Sequence, residues 1–166
     1  SAVLMLDSMQ GAGLPMLREA AAAIDRFKAS GQKVIAWGTN YAQRQYFLAA
    51  HANEVYLHPM GTVMLTGFGR YRNYYHDALE KIGITVNVLK VGTFKSFAET
   101  YTANGPSPAA SEAEAFLYNA MWKIYTDDVE KARKMPAGAV MENINKLPEM
   151  LKAANGSVAQ FAVDAK

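Results

Sequence analysis

Val34-Ile35-Ala36-Trp37 is a short apolar run that ends at Gly38, and Ala2-Val3-Leu4-Met5-Leu6 is a similar run close to the start of the chain. Between them, the apolar residues of 14–27 recur at the spacing of one helical face, and Gly31 then ends the pattern. Two apolar runs joined by one amphipathic helix are typical of a β-α-β unit with parallel strands. This part of the chain therefore predicts the first crossover of an α/β fold.

The same alternation continues along the chain. We predict, in order, a helix over Tyr41–Ala50, a strand over Glu54–Leu57, short strands at Val63–Leu65 and Phe68, a helix from about Tyr71 to Ile82 and a strand over Thr85–Val91. Because parallel neighbours need long connections and helices must cover the faces of the sheet, we expect a mostly parallel sheet with flanking helices. The predicted fold class is α/β.

The last third of the chain is predicted to be helical. Ser107 is suited to the N-cap position, with Pro108 at the first helical position, and helix is expected from there to about Lys134. Two shorter helices are expected to follow, over Leu147–Ala154 and Val158–Ala165. The predicted α/β fold therefore has a helical C-terminal part.

The composition is that of one globular domain over residues 1–166. Hydrophobic residues make up 51% and charged residues 19%, which is enough for a core of its own. The net charge is +2 and the basic residues are scattered, so no nucleic-acid partner is expected. The lack of cysteine excludes disulfides, thiolate metal sites and a cysteine nucleophile. Because no apolar stretch approaches the roughly 18 residues of a membrane helix, the chain as given is expected to be soluble.

The motifs for cofactors, metals and nucleophiles are incomplete. Gly11-Ala12-Gly13 lies where a dinucleotide-binding loop would lie, but Met16 replaces the third glycine. The histidines, His51, His58 and His76, are far apart and show no second ligand at metal-binding spacing. We therefore predict no cofactor and no metal. No serine stands in a Gly-x-Ser-x-Gly elbow, so none is predicted to be a nucleophile.

The segment Val91–Glu99 contains the lysine with the most distinctive surroundings. Lys95 follows an apolar predicted strand and is flanked by Phe94 and Phe97, two side chains that are able to desolvate it in part. An amine acts as a base only when it is neutral, and burial favours the neutral form of lysine. Most lysines near strand ends are simply solvated, so the residues alone leave open both a catalytic base and a surface lysine.

Three stretches together carry a family resemblance. They are Gly38–Ala49 (GTNYAQRQYFLA), Ala52–Pro59 (ANEVYLHP) and Val91–Ala113, which contains Val91-Gly92-Thr93-Phe94-Lys95-Ser96, then Glu99, then Ser107-Pro108-Ala109-Ala110-Ser111-Glu112-Ala113. In order and spacing, and over nearly the whole chain, the sequence resembles the N-terminal half of the bacterial signal peptide peptidase A family in its long form (protease IV). That family has a fold like those of Clp protease and crotonase. Thr100 departs from its pattern, which often has proline after the glutamate.

The resemblance implies a serine protease in which Lys95 is the general base of a Ser/Lys pair that degrades cleaved signal peptides. In the long form, the lysine comes from the first of two tandem domains and the serine from the second. The tract around Gln43 corresponds to the serine-bearing region of the second domain. Because Gln43 has no hydroxyl, the chain is expected to be inactive alone. The start at Ser1, directly before a predicted strand, also indicates an excised piece of a longer protein.

The resemblance also implies partners and a location. The expected partners are signal peptides or other apolar peptides, the serine-bearing C-terminal domain of the parent chain, and further copies in a homo-oligomer. Leu65, Thr66, Gly67 and Phe68 are the candidate wall of the peptide groove, with simple core packing as the alternative. The parent protein is expected to be anchored in the bacterial inner membrane with its domains in the periplasm.

Two other functions are compatible with the same broad fold. A crotonase-like domain used for assembly or peptide binding would leave Lys95 charged in solvent. An acyl-CoA enzyme would use backbone amides as an oxyanion hole for a thioester, and it would need a pocket for CoA. Binding of CoA and the peptidase activity of the whole protein would separate these alternatives.

Overall fold

The computed structural model describes residues 1–165, and within them strands and helices alternate as the sequence predicts. The strands are β1 (Ala2–Met5), β2 (Val34–Gly38), β3 (Tyr41–Ala42), β4 (Glu54–Leu57) and β5 (Val63–Met64). The helices are α1 (Leu14–Ala29), α2 (Gln43–Ala50), α3 (His76–Lys81), α4 (Glu99–Thr102), α5 (Pro108–Arg133), α6 (Ala139–Asn145), α7 (Leu147–Ala153) and α8 (Val158–Ala165). The predicted mixed α/β class is confirmed. No helix within 1–165 is long and apolar enough to cross a membrane.

The chain divides into two compact units. The first comprises Ser1–Gly67 together with the chain from Lys123 onward, and the second comprises Phe68–Trp122. All five strands described for residues 1–165 belong to the first unit, whereas the second contains α3, α4 and the beginning of α5. The single domain over 1–166 stays a prediction.

The first unit is built on a parallel sheet in the order β1-β2-β4. Ala2 pairs with Val34 between the first two strands, and Trp37 pairs with Tyr56 between the second two. β3 and β5 form a separate parallel pair. The predicted parallel arrangement therefore holds for the strands that form.

Only one face of the three-stranded sheet is covered. Val34 and Ala36, which alternate along β2, are almost fully buried at 1% and 0% exposure, and α2 packs against this strand. On the opposite face, Met5, Trp37 and Tyr56 lie side by side in register and are all exposed. The expected helical layer on this second face is missing from residues 1–165, although parallel sheets are normally covered on both faces.

The core of the first unit is aromatic. Phe47 of α2 and Tyr125 of α5 are fully buried, and their ring centroids are 5.4 Å apart. Leu17 of α1 is also buried, as its place on the predicted helical face requires. The Tyr125 hydroxyl donates to the Gln43 carbonyl oxygen at 2.8 Å, and burial raises the pKa of this tyrosine. These contacts fix the start of α2 against α5.

The predicted strand over Thr85–Val91 is wrong. These residues form irregular chain, with Leu89 and Val91 largely exposed. A strand forms only when a neighbour exchanges backbone hydrogen bonds with it, and the described residues of the second unit contain no strand. The β-branched and apolar residues of Thr85–Val91 are typical of a strand, but this composition does not provide a neighbouring strand to pair with.

Other boundaries differ by a few residues. Helix α2 begins at Gln43 rather than Tyr41, because the two preceding residues pair with β5. The strand at Val63 ends at Met64, and Phe68 belongs to no strand. The helix expected from Tyr71 is reduced to α3, and three short helices, not two, follow α5.

Candidate functional site

Lys95 lies in a turn of the second unit. Its N–H donates to the Gly92 carbonyl oxygen at 3.4 Å, and Gly92 has φ +106°, a conformation that favours glycine. A Cβ atom at position 92 would lie 3.8 to 3.9 Å from the Lys95 side-chain carbons Cγ, Cδ and Cε. The aliphatic part of the lysine therefore lies against the glycine backbone.

Phe94 and Phe97 do not bury Lys95 in this chain. Lys95 is exposed, and so are its neighbours Phe94 and Phe97, at 61% and 85%. Within residues 1–165, the Lys95 ammonium group has no ion-pair partner. The reason is that the preceding segment forms no strand and nothing in the described chain covers the two phenylalanines. As it stands, the lysine is a solvated side chain in a defined turn.

A buried carboxylate connects this turn to α5. Glu99 is 6% exposed and accepts hydrogen bonds from the Ser107 N–H at 3.0 Å and the Ser107 hydroxyl at 2.7 Å. Ser107 Oγ in turn accepts the Ala110 N–H at 3.2 Å, so the predicted N-cap is confirmed. These bonds from Ser107, with a smaller contribution from the Lys90 charge, lower the pKa of Glu99. Glu99 and Ser107, both part of the sequence motif that begins at Lys95, thus belong to one hydrogen-bonded structure.

The candidate wall residues divide between the units. Thr66 and Gly67 of the first unit are bonded through their backbone to the buried side chain of Gln43. Leu65 is half-buried and lines a groove of the same unit. Phe68 belongs to the second unit, where its ring lies 6.4 Å from that of Trp122. A shared role of all four residues as a wall stays a prediction.

Sequence reasoning missed an apolar groove of about 270 Å³ in the first unit. One wall is formed by β5 and Leu65, and the others come mainly from α6, α7 and α8, with Tyr46 of α2 and Met135. Representative lining residues are Val63, Met64, Val140, Ile144, Leu147 and Phe161. The apolar faces of the C-terminal helices were the available signal, but only the fold brings them against β5.

His51 makes contacts that connect two helices. Its Nδ1 lies 2.9 Å from the Asp25 carboxylate, and the Lys28 ammonium group donates to its carbonyl oxygen at 2.6 Å. The His51 ring also contacts that of Phe47, with centroids 5.6 Å apart. The histidine therefore joins the end of α2 to α1 through Nδ1 and its carbonyl oxygen, whereas its Nε2 is buried with no hydrogen-bond partner among the described residues.

The prediction that no histidine has a second ligand at metal-binding spacing is wrong for His76. Asp77 and Glu80, on the same short helix α3, bring ligand atoms within 4.8 Å of one another and of the imidazole. The spacing His76-x-x-x-Glu80 is one helical turn and was visible in the sequence. Both carboxylates are exposed, and Asp77 already accepts a hydrogen bond from Asn104. The cluster therefore has the features of an ordinary polar helix surface as well as those of a possible metal site.

Comparison with known proteins decides the family. Residues 26–163 match the sequence pattern of peptidase family S49. The chain belongs to peptidase family S49. The resemblance to signal peptide peptidase A seen in the sequence is thereby confirmed at the level of the family.

Two proteins named Protease 4 are similar to this S49 chain. The one from Salmonella typhi is 35% identical over 164 residues, which is 99% of this chain and 26% of the relative. The one from Haemophilus influenzae is 34% identical over 160 residues, 96% of this chain and 26% of the relative. A protein of Arabidopsis thaliana named "Serine protease SPPA, chloroplastic" is 24% identical over 106 residues, 64% of this chain and 16% of its own length. The S49 chain therefore spans about a quarter of the length of the Protease 4 relatives.

Proposed function

We propose that this S49 chain is the lysine-bearing part of a serine peptidase that uses a Ser/Lys pair to degrade cleaved signal peptides. Lys95 is the general base, and the nucleophilic serine belongs to another part of the parent protein. Membership of the peptidase family and similarity to Protease 4 and to serine protease SPPA support a peptidase. The position of Lys95 supports its role.

The observation that carries the proposal is the exposed turn at Lys95. Its geometry is defined by Gly92, yet Phe94 and Phe97 beside it are left uncovered. Large exposed aromatic side chains next to a potential base are suited to burial by a further protein segment. That burial would exclude water from the amine and favour its neutral form. The chain thus supplies a positioned lysine that becomes a base only in the assembled site.

The proposed mechanism follows from a neutral lysine. The Lys95 amine accepts the proton of the serine hydroxyl as the serine oxygen attacks the peptide carbonyl. The tetrahedral intermediate is stabilised by backbone N–H groups of the assembled site, and the ammonium then donates its proton to the leaving amine. Water, deprotonated by the same lysine, hydrolyses the acyl-serine and regenerates the serine.

The uncovered sheet face supports the presence of further segments in the functional protein. Met5, Trp37 and Tyr56 form an apolar row on a parallel sheet, where a covering layer is normal. We infer that another part of the parent protein packs there, because the relatives are about four times as long as this chain. Membrane anchoring, a periplasmic location and homo-oligomer formation stay predictions from the resemblance.

The decisive experiment measures hydrolysis of an apolar signal-peptide substrate by the full-length parent protein. We expect Lys95→Ala to lower kcat by about 10²- to 10⁴-fold, the usual contribution of a general base. Lys81→Ala is the matched control, because it removes an exposed lysine of the same unit. Circular dichroism and size-exclusion chromatography establish that all variants fold and assemble alike. Full activity of the Lys95→Ala variant would exclude the proposed base.

A non-catalytic peptide-binding role is the second candidate, and the apolar groove beside β5 favours it. Leu65 of the candidate wall lines this groove, so an apolar peptide could occupy it next to the strand. Binding of the peptide without hydrolysis, unaffected by Lys95→Ala and weakened by Leu65→Asp, would support this role over the peptidase. Calorimetry with CoA tests the acyl-CoA alternative.

A further inference from the structure

The side chain of Gln43 is held by the backbone of two consecutive residues. Its Oε1 accepts the Thr66 N–H at 2.9 Å and the Gly67 N–H at 2.7 Å, and its Nε2 donates to the Gly67 carbonyl oxygen at 3.1 Å. Gln43 is 9% exposed, so these bonds form in a largely water-free place. The carboxamide is thus recognised by two donors and one acceptor, all from the main chain.

The donor pair has the geometry of a binding site for a carbonyl oxygen. Two successive backbone N–H groups point at one oxygen, and the second belongs to Gly67 at φ +73°, which is typical of the backbone concavities that bind anionic oxygens. Both distances lie in the range found for oxyanion holes. The neighbouring Gly67 carbonyl adds selectivity for a group that carries an N–H beside its C=O. The class of ligand that fits is an amide.

We propose that the Thr66–Gly67 backbone is an amide-binding niche that the chain keeps closed with its own Gln43. Gln43 stands at the junction of β3 and α2, with its side chain where an external peptide or carboxamide group would bind. Removal of the side chain opens the niche. This inference concerns binding alone and does not depend on the peptidase function proposed above.

Other hydrogen bonds hold the backbone on both sides of the niche, so the Gln43 side chain can be removed without moving that backbone. The Gln43 carbonyl oxygen is bonded to the Tyr125 hydroxyl at 2.8 Å, so the backbone at this position is held independently of the side chain. The Tyr41 N–H is bonded to the Thr62 carbonyl oxygen at 2.8 Å, which joins the chain before Gln43 to the chain before Thr66. Truncation of Gln43 at Cβ therefore removes its carboxamide and leaves the backbone at position 43 and at Thr66–Gly67 in place.

Acetamide is a suitable probe, because it contains the four heavy atoms that Gln43→Ala removes. The full-length parent protein is unfolded thermally with and without acetamide, as wild type, as Gln43→Ala and as Gln43→Met, which fills the space without the hydrogen bonds. We expect acetamide to raise Tm of Gln43→Ala relative to the other two forms, because it binds only the open niche. N,N-dimethylacetamide, which has no N–H, should give no such relative rise. Equal shifts in all three forms would overturn the proposal.

A variant that does not fold still gives an answer. If Gln43→Ala unfolds at the working temperature, the recovered folded protein is measured after refolding with each amide. Recovery with acetamide and not with N,N-dimethylacetamide supports the niche. Equal recovery with both, or none with either, contradicts it. Because neither readout uses peptidase activity, a failure of the Lys95 assignment leaves this test unaffected.

Discussion

Glu99 and Ser107 are joined by two hydrogen bonds that converge on one carboxylate, from the serine N–H at 3.0 Å and from its hydroxyl at 2.7 Å. The same hydroxyl oxygen caps α5 by accepting the Ala110 N–H. The pair thus holds the start of a 26-residue helix close to the turn that carries Lys95. Loss of either partner should therefore affect both the helix and the lysine.

We expect Glu99→Gln and Ser107→Ala each to lower Tm, because the first removes the charge that strengthens both hydrogen bonds from Ser107 and the second removes the hydroxyl donor to the buried carboxylate. The loss of Tm in the double variant should be smaller than the sum of the two single losses, because both single substitutions affect the bond between the Ser107 hydroxyl and the Glu99 carboxylate. Thermal unfolding of the four proteins, followed by circular dichroism, gives the coupling. Ser111→Ala, on the same helix, is the control. Additive losses would show that the two residues act separately.

The stability of this region should depend on pH in the acidic range. The bonds from Ser107 lower the pKa of Glu99 below its ordinary value of 4.5, so the ionised carboxylate stabilises the fold above pH 4.5. This contribution is lost as the pH falls through the lowered pKa of the folded state. The Tm difference between wild type and Glu99→Gln should therefore shrink from about pH 7 to about pH 3. A difference that is constant over this range would contradict the assignment.

Gly92→Ala should change the Lys95 turn. At φ +106° an alanine is strained by about 1 to 2 kcal/mol, so the turn should relax and shift the lysine. In the parent protein we expect a lower kcat with little change in KM, because the displaced residue is the proposed base and not the proposed substrate groove. Gly105→Ala, where a Cβ meets open space, is the control. Unchanged kcat in Gly92→Ala would show that the turn does not position Lys95.

Gly61→Ala should destabilise the first unit strongly. A Cβ at this buried position would collide with the Thr39 carbonyl oxygen and would lie 2.7 Å from a methyl carbon of Leu57. Relief of such overpacking requires a backbone shift, so we expect a loss of about 2 kcal/mol or more in the free energy of unfolding. Urea unfolding of wild type, Gly61→Ala and Gly105→Ala measures it. If the free energy of unfolding falls no more than in Gly105→Ala, the backbone around position 61 accommodates the methyl group without strain.

Local patterns predicted most of the first unit and the C-terminal helices. β1, α1, β2, β4, α5, α7 and α8 form within a few residues of their expected bounds. The Ser107 cap was also predicted, because a cap depends on residues next to it in the sequence. The candidate base was identified by family resemblance, since one exposed lysine among many has no local signature. Strand pairing could not be predicted in the same way, as the failed strand at Thr85–Val91 shows.

The sequence by itself determined the α/β class, the family and the absence of a hydroxyl at Gln43, because periodicity, motif spacing and residue identity are properties of the chain alone. Only the tertiary structure decided that Gln43 is seated on Thr66 and Gly67, that Lys95 is exposed, and that one face of the sheet is uncovered. Each of these depends on contacts made, or left unmade, between segments far apart in the sequence. Such contacts are set by packing and strand pairing across the fold, which no local pattern encodes.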